Sequence, residues 1–244
     1  MHAVVAAVAL SLGSLAAAAA TVAPAAVPLP APKLTWGNVS HLFVFGDSYT
    51  TTGWNVSAGI DSPIPGFHKH AYGINDVGNS WGWTNVTQAG FHNTLLNRYF
   101  GQVESLFKAG ARSFLFINVP PIDRAPLFIE QGVNATKQVK ASLADYNGQF
   151  AARVALFKAT HKGLGQVTLF DANKLFNTLL DNAGPLGFVN STGFCEAYQN
   201  GTPSITTQVA GCAPVSQYFW LNSLHPLFTV HNYMAHAIAT ELSA

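Results

Sequence analysis

The chain alternates between short apolar runs and longer segments in which apolar residues recur every three or four positions. The runs are typical of buried strands, and the longer segments are typical of amphipathic helices. Strands that alternate with helices imply a parallel sheet covered on both faces, so we predict an α/β fold. The predicted strands are 41–45, 113–119 and 167–170, with 71–74 as a weaker one, and the predicted helices are about 91–107, 139–157, 172–180 and 230–242.

The helical pattern is clearest over 139–157, and Gly110 lies where the helix before it should end. Residues 53–90 and 195–212 show no such pattern and are interpreted as loop. With no internal repeat and no second boundary, residues 37–244 form one predicted domain. The predicted buried positions of the clearest helix are Val139, Leu143, Tyr146, Phe150, Val154 and Phe157.

The first twenty residues are almost all apolar from Ala3 onward and end in an alanine run. Ala18 and Ala20 match the small-residue pattern at signal-peptide cleavage sites, so we interpret 1–20 as a signal peptide. A membrane anchor is the alternative, although alanine is only weakly hydrophobic. Residues 21–36, rich in proline and alanine, are predicted to form a flexible lead-in to the domain.

Charged residues make up only 9% of the chain, and glycans offer another way to keep its surface hydrated. Six Asn-X-Ser/Thr sequons after a signal-like start favour a secreted, extracellular glycoprotein. The two cysteines, Cys195 and Cys212, are expected to form a disulfide in that compartment, with two free thiols as the alternative. The sequon asparagines are Asn38, Asn55, Asn85, Asn134, Asn190 and Asn200.

Several function classes find no support in the sequence. The net charge is +1 without a Lys/Arg cluster, which argues against a nucleic-acid partner. There is no P-loop and no dinucleotide fingerprint, and His68 and His70 have no third metal ligand near them, so we expect no cofactor and no metal. We interpret the adjacent Asp123 and Arg124 as an ion pair with a structural role or as part of a turn. We expect a monomer without stable membrane association.

Three separated clusters carry candidate chemistry. Ser48 follows the apolar run 41–45, and ligands of parallel α/β sheets gather beyond the carboxyl ends of the strands. Asn75 is predicted at the end of the weak strand, where its amide can donate to an oxyanion. His225, close to the end of the domain, can accept the serine proton and return it to a leaving alcohol. Taken singly, each residue has an ordinary structural alternative, as a turn, a cap or a buried histidine.

Taken together, the clusters resemble the GDSL/SGNH hydrolase family. Their surroundings are most similar to carbohydrate esterase family 16, the fungal acetylesterase branch. The resemblance extends over nearly all of the chain that follows the lead-in. The segments that carry it are Phe45–Gly53, Gly73–Ser80, Asn118–Arg124 and Phe219–Pro226.

The resemblance implies a flavodoxin-like three-layer α/β/α fold and hydrolysis of short acyl esters, chiefly acetyl esters of carbohydrates. Carried over to this chain, Ser48 is the nucleophile and His225 the base, with Asn222 beside the histidine. The Ser48 backbone N–H and the Asn75 amide form the oxyanion hole. The residues assigned to substrate binding are Asp47, Tyr49 and Trp220, with Asp47 alternatively holding the nucleophile loop and Trp81 and Trp83 as further stacking candidates.

Two departures from the family pattern stand out. Only 24 residues separate Ser48 from Gly73, and the family's second conserved block has no counterpart there. We therefore expect a strand-helix unit to be missing after the first strand, through a natural deletion or a wrong exon join. The family's usual Asp is replaced by Asn222, which can accept a hydrogen bond but carries no charge. A catalytically impaired secreted relative, with glycan binding or no activity, is thus the alternative to an active esterase.

Overall fold

The computed structural model describes residues 73–243. The predicted signal peptide, lead-in and first strand lie outside the described residues, as do Asp47, Ser48, Tyr49, His68, His70, Asn38 and Asn55. The interval in which a strand-helix unit is expected to be missing also lies outside them.

Helices dominate the described part of the chain, around two short parallel strands. The elements are α1 Ile74–Ser80, α2 Gln88–Lys108, β1 Phe114–Ile117, α3 Pro126–Ile129, α4 Val133–Thr160, β2 Val167–Phe170, α5 Ala172–Asp181 and α6 Phe228–Ser243. Short 3-10 turns occur at Ile122–Arg124, Glu196–Tyr198 and Val215–Gln217. This helix-rich α/β arrangement with a small parallel sheet is consistent with the predicted fold class.

Helix α4 supplies the centre of the main core. All six positions predicted for its buried face are at most 5% exposed. They pack against α2, where Leu96 and Val103 are buried, and against Phe116 of β1. Burying one such large side chain contributes about 1.5–3 kcal/mol, so this face is a major source of stability.

The two strands pair in parallel, with Phe114 opposite Val167 and Ile117 opposite Phe170. Directly after both strands, polar side chains form hydrogen bonds. The Asn118 amide donates to Asp171 Oδ1 at 2.8 Å, and Asn118 Oδ1 accepts from the Asn173 backbone N–H at 2.9 Å. The carboxyl end of the sheet is therefore fixed by side chains rather than by further strand pairing.

Gly110 ends α2 as the sequence predicts. Its φ of 107° lies in the left-handed region that favours glycine. From that position its N–H donates to the Phe107 carbonyl, and Ala111 N–H donates to the Leu106 carbonyl. These bonds satisfy the last carbonyls of the helix.

The weak strand predicted at 71–74 is wrong at Ile74, which begins helix α1. The Asp76 carboxylate accepts from the Gly73 N–H at 2.8 Å and so supports the first turn of a helix. Ile74 and Val77, three residues apart, are both buried on the same helical face. Asn75 therefore lies in the first turn of α1 and not at the end of a strand.

Within residues 73–243, no helix combines the length and the apolar composition that crossing a membrane would require.

Candidate active site

His225 is presented by a tight turn between two paired segments. Trp220 and Pro226 form an antiparallel bridge, and the Leu221 N–H donates to the His225 carbonyl at 2.8 Å. The Leu227 N–H donates to the Phe219 carbonyl at 2.9 Å and closes the base of the turn. We call residues 219–227 the histidine hairpin. Its backbone bonds fix the position from which the imidazole projects.

Asn222 orients the imidazole. Its side-chain oxygen accepts from the Leu224 N–H at 3.0 Å and from the His225 N–H at 2.8 Å. Those two donors identify the atom as oxygen, because an amide nitrogen could not accept from them. The same oxygen lies 3.0 Å from His225 Nδ1, which must therefore carry a proton to bond to it. A neutral imidazole held in this tautomer has its basic lone pair on Nε2.

Asn75 lies in the first turn of α1, partly accessible to solvent. Its side-chain amide makes no hydrogen bond to the other residues of the described range. The buried Ile74 and Val77 on either side anchor the turn in the core. An amide that is held by its neighbours and makes no bond within residues 73–243 can donate to a ligand.

The predicted nucleophile, Ser48, lies outside the described residues. Ser48, with Asp47 and Tyr49, precedes the described range, so their predicted roles stay predictions. The structure describes the two other predicted components, Asn75 and the Asn222–His225 pair, each on a well-anchored element.

Trp220 is a buried residue, and its predicted role in substrate binding stays a prediction. Its ring is 2% exposed, packs against Phe219, and donates its indole N–H to the Ser191 carbonyl at 2.8 Å. An indole that is this deeply buried and hydrogen-bonded at its edge packs as part of the core. Trp83, at 48% exposed, remains an accessible indole.

The predicted disulfide between Cys195 and Cys212 is present. It belongs to a second small core with Tyr198, Tyr218 and Leu227. Leu227 is the last residue of the histidine hairpin, so the disulfide loop packs directly on the element that carries His225.

The described sequons differ in accessibility. Asn85, Asn134 and Asn200 are exposed, whereas Asn190 is half-buried. The Asn190 side-chain oxygen accepts from the backbone N–H groups of Thr192 and Gly193. Three of these asparagines are thus sterically open to modification.

A polar cleft of about 570 Å³ lies between residues of the segments 123–140, 177–181 and 191–192, and the sequence pattern did not reveal it. Arg124 on its wall pairs with Asp181 at 2.6 Å, and of the two alternatives predicted for Asp123 and Arg124 the turn is present, as the 3-10 turn Ile122–Arg124. Burial raises the pKa of the Asp123 carboxyl, an effect that Lys140 and Arg124 partly offset. No local motif predicts such a site, because Arg124 and Asp181 are far apart in the chain.

Hydrogen bonds link this cleft to both sides of the hairpin. Ser191, which lines the cleft, accepts the indole N–H of Trp220. The Leu127 N–H, in the helix that also carries the cleft residue Ile129, donates to the Ser223 carbonyl at 2.8 Å. Two elements that line the cleft are therefore hydrogen-bonded to the histidine hairpin, whose own residues do not line the cleft.

Sequence comparisons identify relatives, among them two named as esterases. The chain is 30% identical to an acetylesterase of Thermothelomyces thermophilus over 168 residues, which are 68% of this chain and 49% of that protein. It is 25% identical to a GDSL esterase/lipase of Arabidopsis thaliana over 142 residues, 56% of this chain and 39% of the relative. It is 27% identical to a thermolabile hemolysin of Vibrio parahaemolyticus over 137 residues, 53% and 32% of the two chains.

These relatives support membership of the GDSL/SGNH hydrolase family. No family model matches the chain. The chain spans about half the length of the acetylesterase and less of the other two relatives.

Proposed function

We propose that the chain is a secreted serine esterase of the GDSL/SGNH type, which hydrolyses short acyl esters, chiefly acetyl esters of carbohydrates. The observation that carries the proposal is the contact between Asn222 Oδ1 and His225 Nδ1. A histidine held in the Nδ1–H tautomer by a fixed acceptor has the form that a general base needs. The names of the relatives support ester hydrolysis as the reaction class.

In the proposed mechanism, His225 Nε2 takes the proton of the Ser48 hydroxyl as its oxygen attacks the ester carbonyl. The carbonyl π bond opens, and the resulting oxyanion accepts hydrogen bonds from the Ser48 backbone N–H and the Asn75 amide. The tetrahedral intermediate collapses, the C–O bond to the alcohol breaks, and His225 gives its proton to the departing oxygen. Water then attacks the acyl-serine with the same base, releasing the acid and restoring Ser48.

Asn222 replaces the charged partner that serine hydrolases usually place beside the histidine. A neutral amide oxygen can fix the tautomer but stabilises the imidazolium less than a carboxylate does. We infer a working enzyme with a weaker base than an Asp-containing relative. The missing second block would remove a further oxyanion donor, at a cost of about 10²–10³ in rate.

The polar cleft supports a polyhydroxylated leaving group. Hydroxyls of Ser191 and Thr192, the Asn177 amide and the Lys140 ammonium line it. Such donors and acceptors suit the hydroxyls of a sugar better than an acyl tail, which needs an apolar wall. This lining and the resemblance to carbohydrate esterase family 16 both favour an acetylated carbohydrate as substrate.

The decisive experiment is covalent labelling combined with turnover. The purified chain is treated with a fluorophosphonate, which phosphonylates a serine activated by a neighbouring base, and with a short aryl acetate. We expect labelling at Ser48 and turnover, both abolished in Ser48→Ala and retained in the matched control Ser113→Ala. Equal background in wild type and Ser48→Ala would instead identify the impaired relative.

The substrate class is tested by comparing an acetylated methyl glycoside with the aryl acetate. Ser191→Ala removes a cleft hydroxyl and keeps the Asn190 sequon intact. We expect it to lower kcat/KM for the glycoside about fivefold, the value of one hydrogen bond, with no change for the aryl acetate. Equal effects on both substrates would exclude the cleft as a sugar site.

Secretion and glycosylation complete the proposal, with 1–20 as signal peptide, 21–36 as lead-in and 37–244 as a monomeric domain. The disulfide and the three exposed sequons support export. Expressed in a glycosylating host, the chain should appear in the medium and lose mass on treatment with an N-glycosidase. Retention inside the cells with unmodified mass would contradict it.

A further inference from the structure

A buried histidine outside the proposed site connects to both ends of helix α1, which carries Asn75. His92 is fully buried, and its Nδ1 lies 2.6 Å from Asp145 Oδ2. A carboxylate can only accept, so this ring nitrogen donates and the ring is fixed in orientation. Nothing in the proposed mechanism uses this pair, and no sequence motif marked it.

One route from His92 leads to the end of α1. Its Nε2 lies 3.4 Å from the Ser142 hydroxyl, which donates to Gln88 Oε1 at 3.1 Å. The Gln88 amide nitrogen in turn donates to the Ser80 carbonyl at 2.6 Å. Ser80 is the last residue of α1. The Ser80 bond also identifies which Gln88 atom is nitrogen, because a carbonyl accepts only.

The other route leads to the start of α1. The Tyr146 ring packs edge-on against the His92 ring, with centroids 5.5 Å apart and an interplanar angle of 90°. A Cβ at Gly73 would lie 3.7 Å from the Tyr146 hydroxyl, in ordinary van der Waals contact. Gly73 directly precedes α1. The last residue of this seven-residue helix thus accepts a hydrogen bond from Gln88, and the residue before its first turn lies near Tyr146, whose ring packs on the same imidazole.

We propose that Gln88, which the linked side chains of Ser142, His92 and Asp145 hold in place, is a positioning residue that fixes the end of α1 and thereby sets the placement of the Asn75 amide. The inference rests on the proposed function, in which Asn75 donates to the oxyanion. A donor misplaced by less than an ångström loses much of its value in the transition state and little in ground-state binding. Gln88 is therefore a positioning residue and does not itself touch the substrate.

The test uses Gln88→Met, which keeps the side chain's length and removes both of its hydrogen bonds. We expect kcat to fall about fivefold to tenfold with KM within twofold. In an Asn75→Ala background the same substitution should change kcat by less than twofold, because the donor that it misplaces is gone. The exposed Gln138→Met serves as the matched control. An equal loss of kcat in both backgrounds would overturn the proposal and leave a purely structural role.

A second readout does not depend on activity. In amide-detected NMR of the full chain, Gln88→Met should shift or broaden the side-chain NH₂ signals of Asn75, and Gln138→Met should leave them in place. Unchanged Asn75 signals would refute the positioning role even if the enzyme is active. If wild type shows no Ser48-dependent turnover, the proposed function fails, and the NMR measurement still decides whether this network controls Asn75.

Discussion

The side-chain oxygen of Asn222 lies 3.0 Å from His225 Nδ1. It also accepts hydrogen bonds from two backbone N–H groups of the same turn, those of Leu224 and His225. A single atom thus shapes the turn and selects the tautomer of the imidazole. The family's usual carboxylate would have the same acceptor geometry, so the replacement by asparagine retains the orientation and loses the charge.

Asn222→Ala removes this acceptor, and we expect kcat to fall by about 10²–10⁴-fold because the imidazole loses its fixed tautomer. The matched variant Asn222→Asp keeps an acceptor and adds a charge that stabilises the imidazolium. We expect it to equal or exceed wild type. Steady-state kinetics on a short aryl acetate measures both variants. Wild-type kcat in Asn222→Ala would show that another group orients His225.

The helices that periodicity predicted are present, because a long amphipathic pattern reflects burial directly. The face of α4 is the clearest case, with all six predicted positions buried. The prediction of a strand at 71–74 is wrong at Ile74, which begins a helix. A pattern of only four residues is too short to distinguish a strand from the first turn of a helix. The sequence left the burial of Trp220 open, since a tryptophan beside a candidate site is equally typical of a core and of a ligand surface.

Local sequence patterns could not predict contacts between residues that are far apart in the chain. The ion pair of Arg124 with Asp181 and the His92–Asp145 contact each join residues more than fifty positions apart. Neither residue type nor spacing indicates such partners. The Asn222–His225 contact was easier to anticipate, because its members are three residues apart and the family pattern places an acceptor there.

The carboxyl end of β1 depends on Asn147, whose side chain bonds both backbone groups of Val119. Its oxygen accepts from the Val119 N–H at 3.0 Å and its nitrogen donates to the Val119 carbonyl at 2.9 Å. We expect Asn147→Leu to lower the free energy of unfolding by about 1–3 kcal/mol, because a partly buried N–H loses its acceptor. The exposed Gln138→Leu on the same helix should change it by about 0.5 kcal/mol or less. Equal urea midpoints for the two variants would contradict this role.

The disulfide should stabilise the histidine hairpin through the small core that it shares with Leu227. Cys195 and Cys212 are 17 residues apart, and closing a loop of that size contributes about 3 kcal/mol. We expect the double variant Cys195→Ala/Cys212→Ala to lose that amount in urea unfolding. Reductant should destabilise wild type to the same level and leave the double variant unaffected. A reductant-sensitive double variant would show that the effect does not come from this bond.

Alkaline pH should destabilise the core through its tyrosines. Burial raises the pKa of Tyr99 to about 12 from an ordinary value of 10.0, and it raises the pKa of Tyr146 in the same direction. A folded-state pKa above the unfolded value means that the unfolded chain loses its proton first as the pH rises. The stabilisation is complete below pH 10 and is lost as the pH climbs through the folded-state values.

Between pH 10 and 12 we therefore expect the free energy of unfolding to fall, with each such tyrosine contributing at most about 1.4 kcal/mol per pH unit. Tyr99→Phe removes one ionisable group and should make the fall less steep, whereas Tyr233→Phe, at a more exposed position, should not. Urea midpoints measured at intervals across this range provide the slopes. If Tyr99→Phe and wild type lost stability in parallel, the Tyr99 hydroxyl would not be the group that titrates, because the substitution keeps the aromatic ring and removes the hydroxyl that ionises.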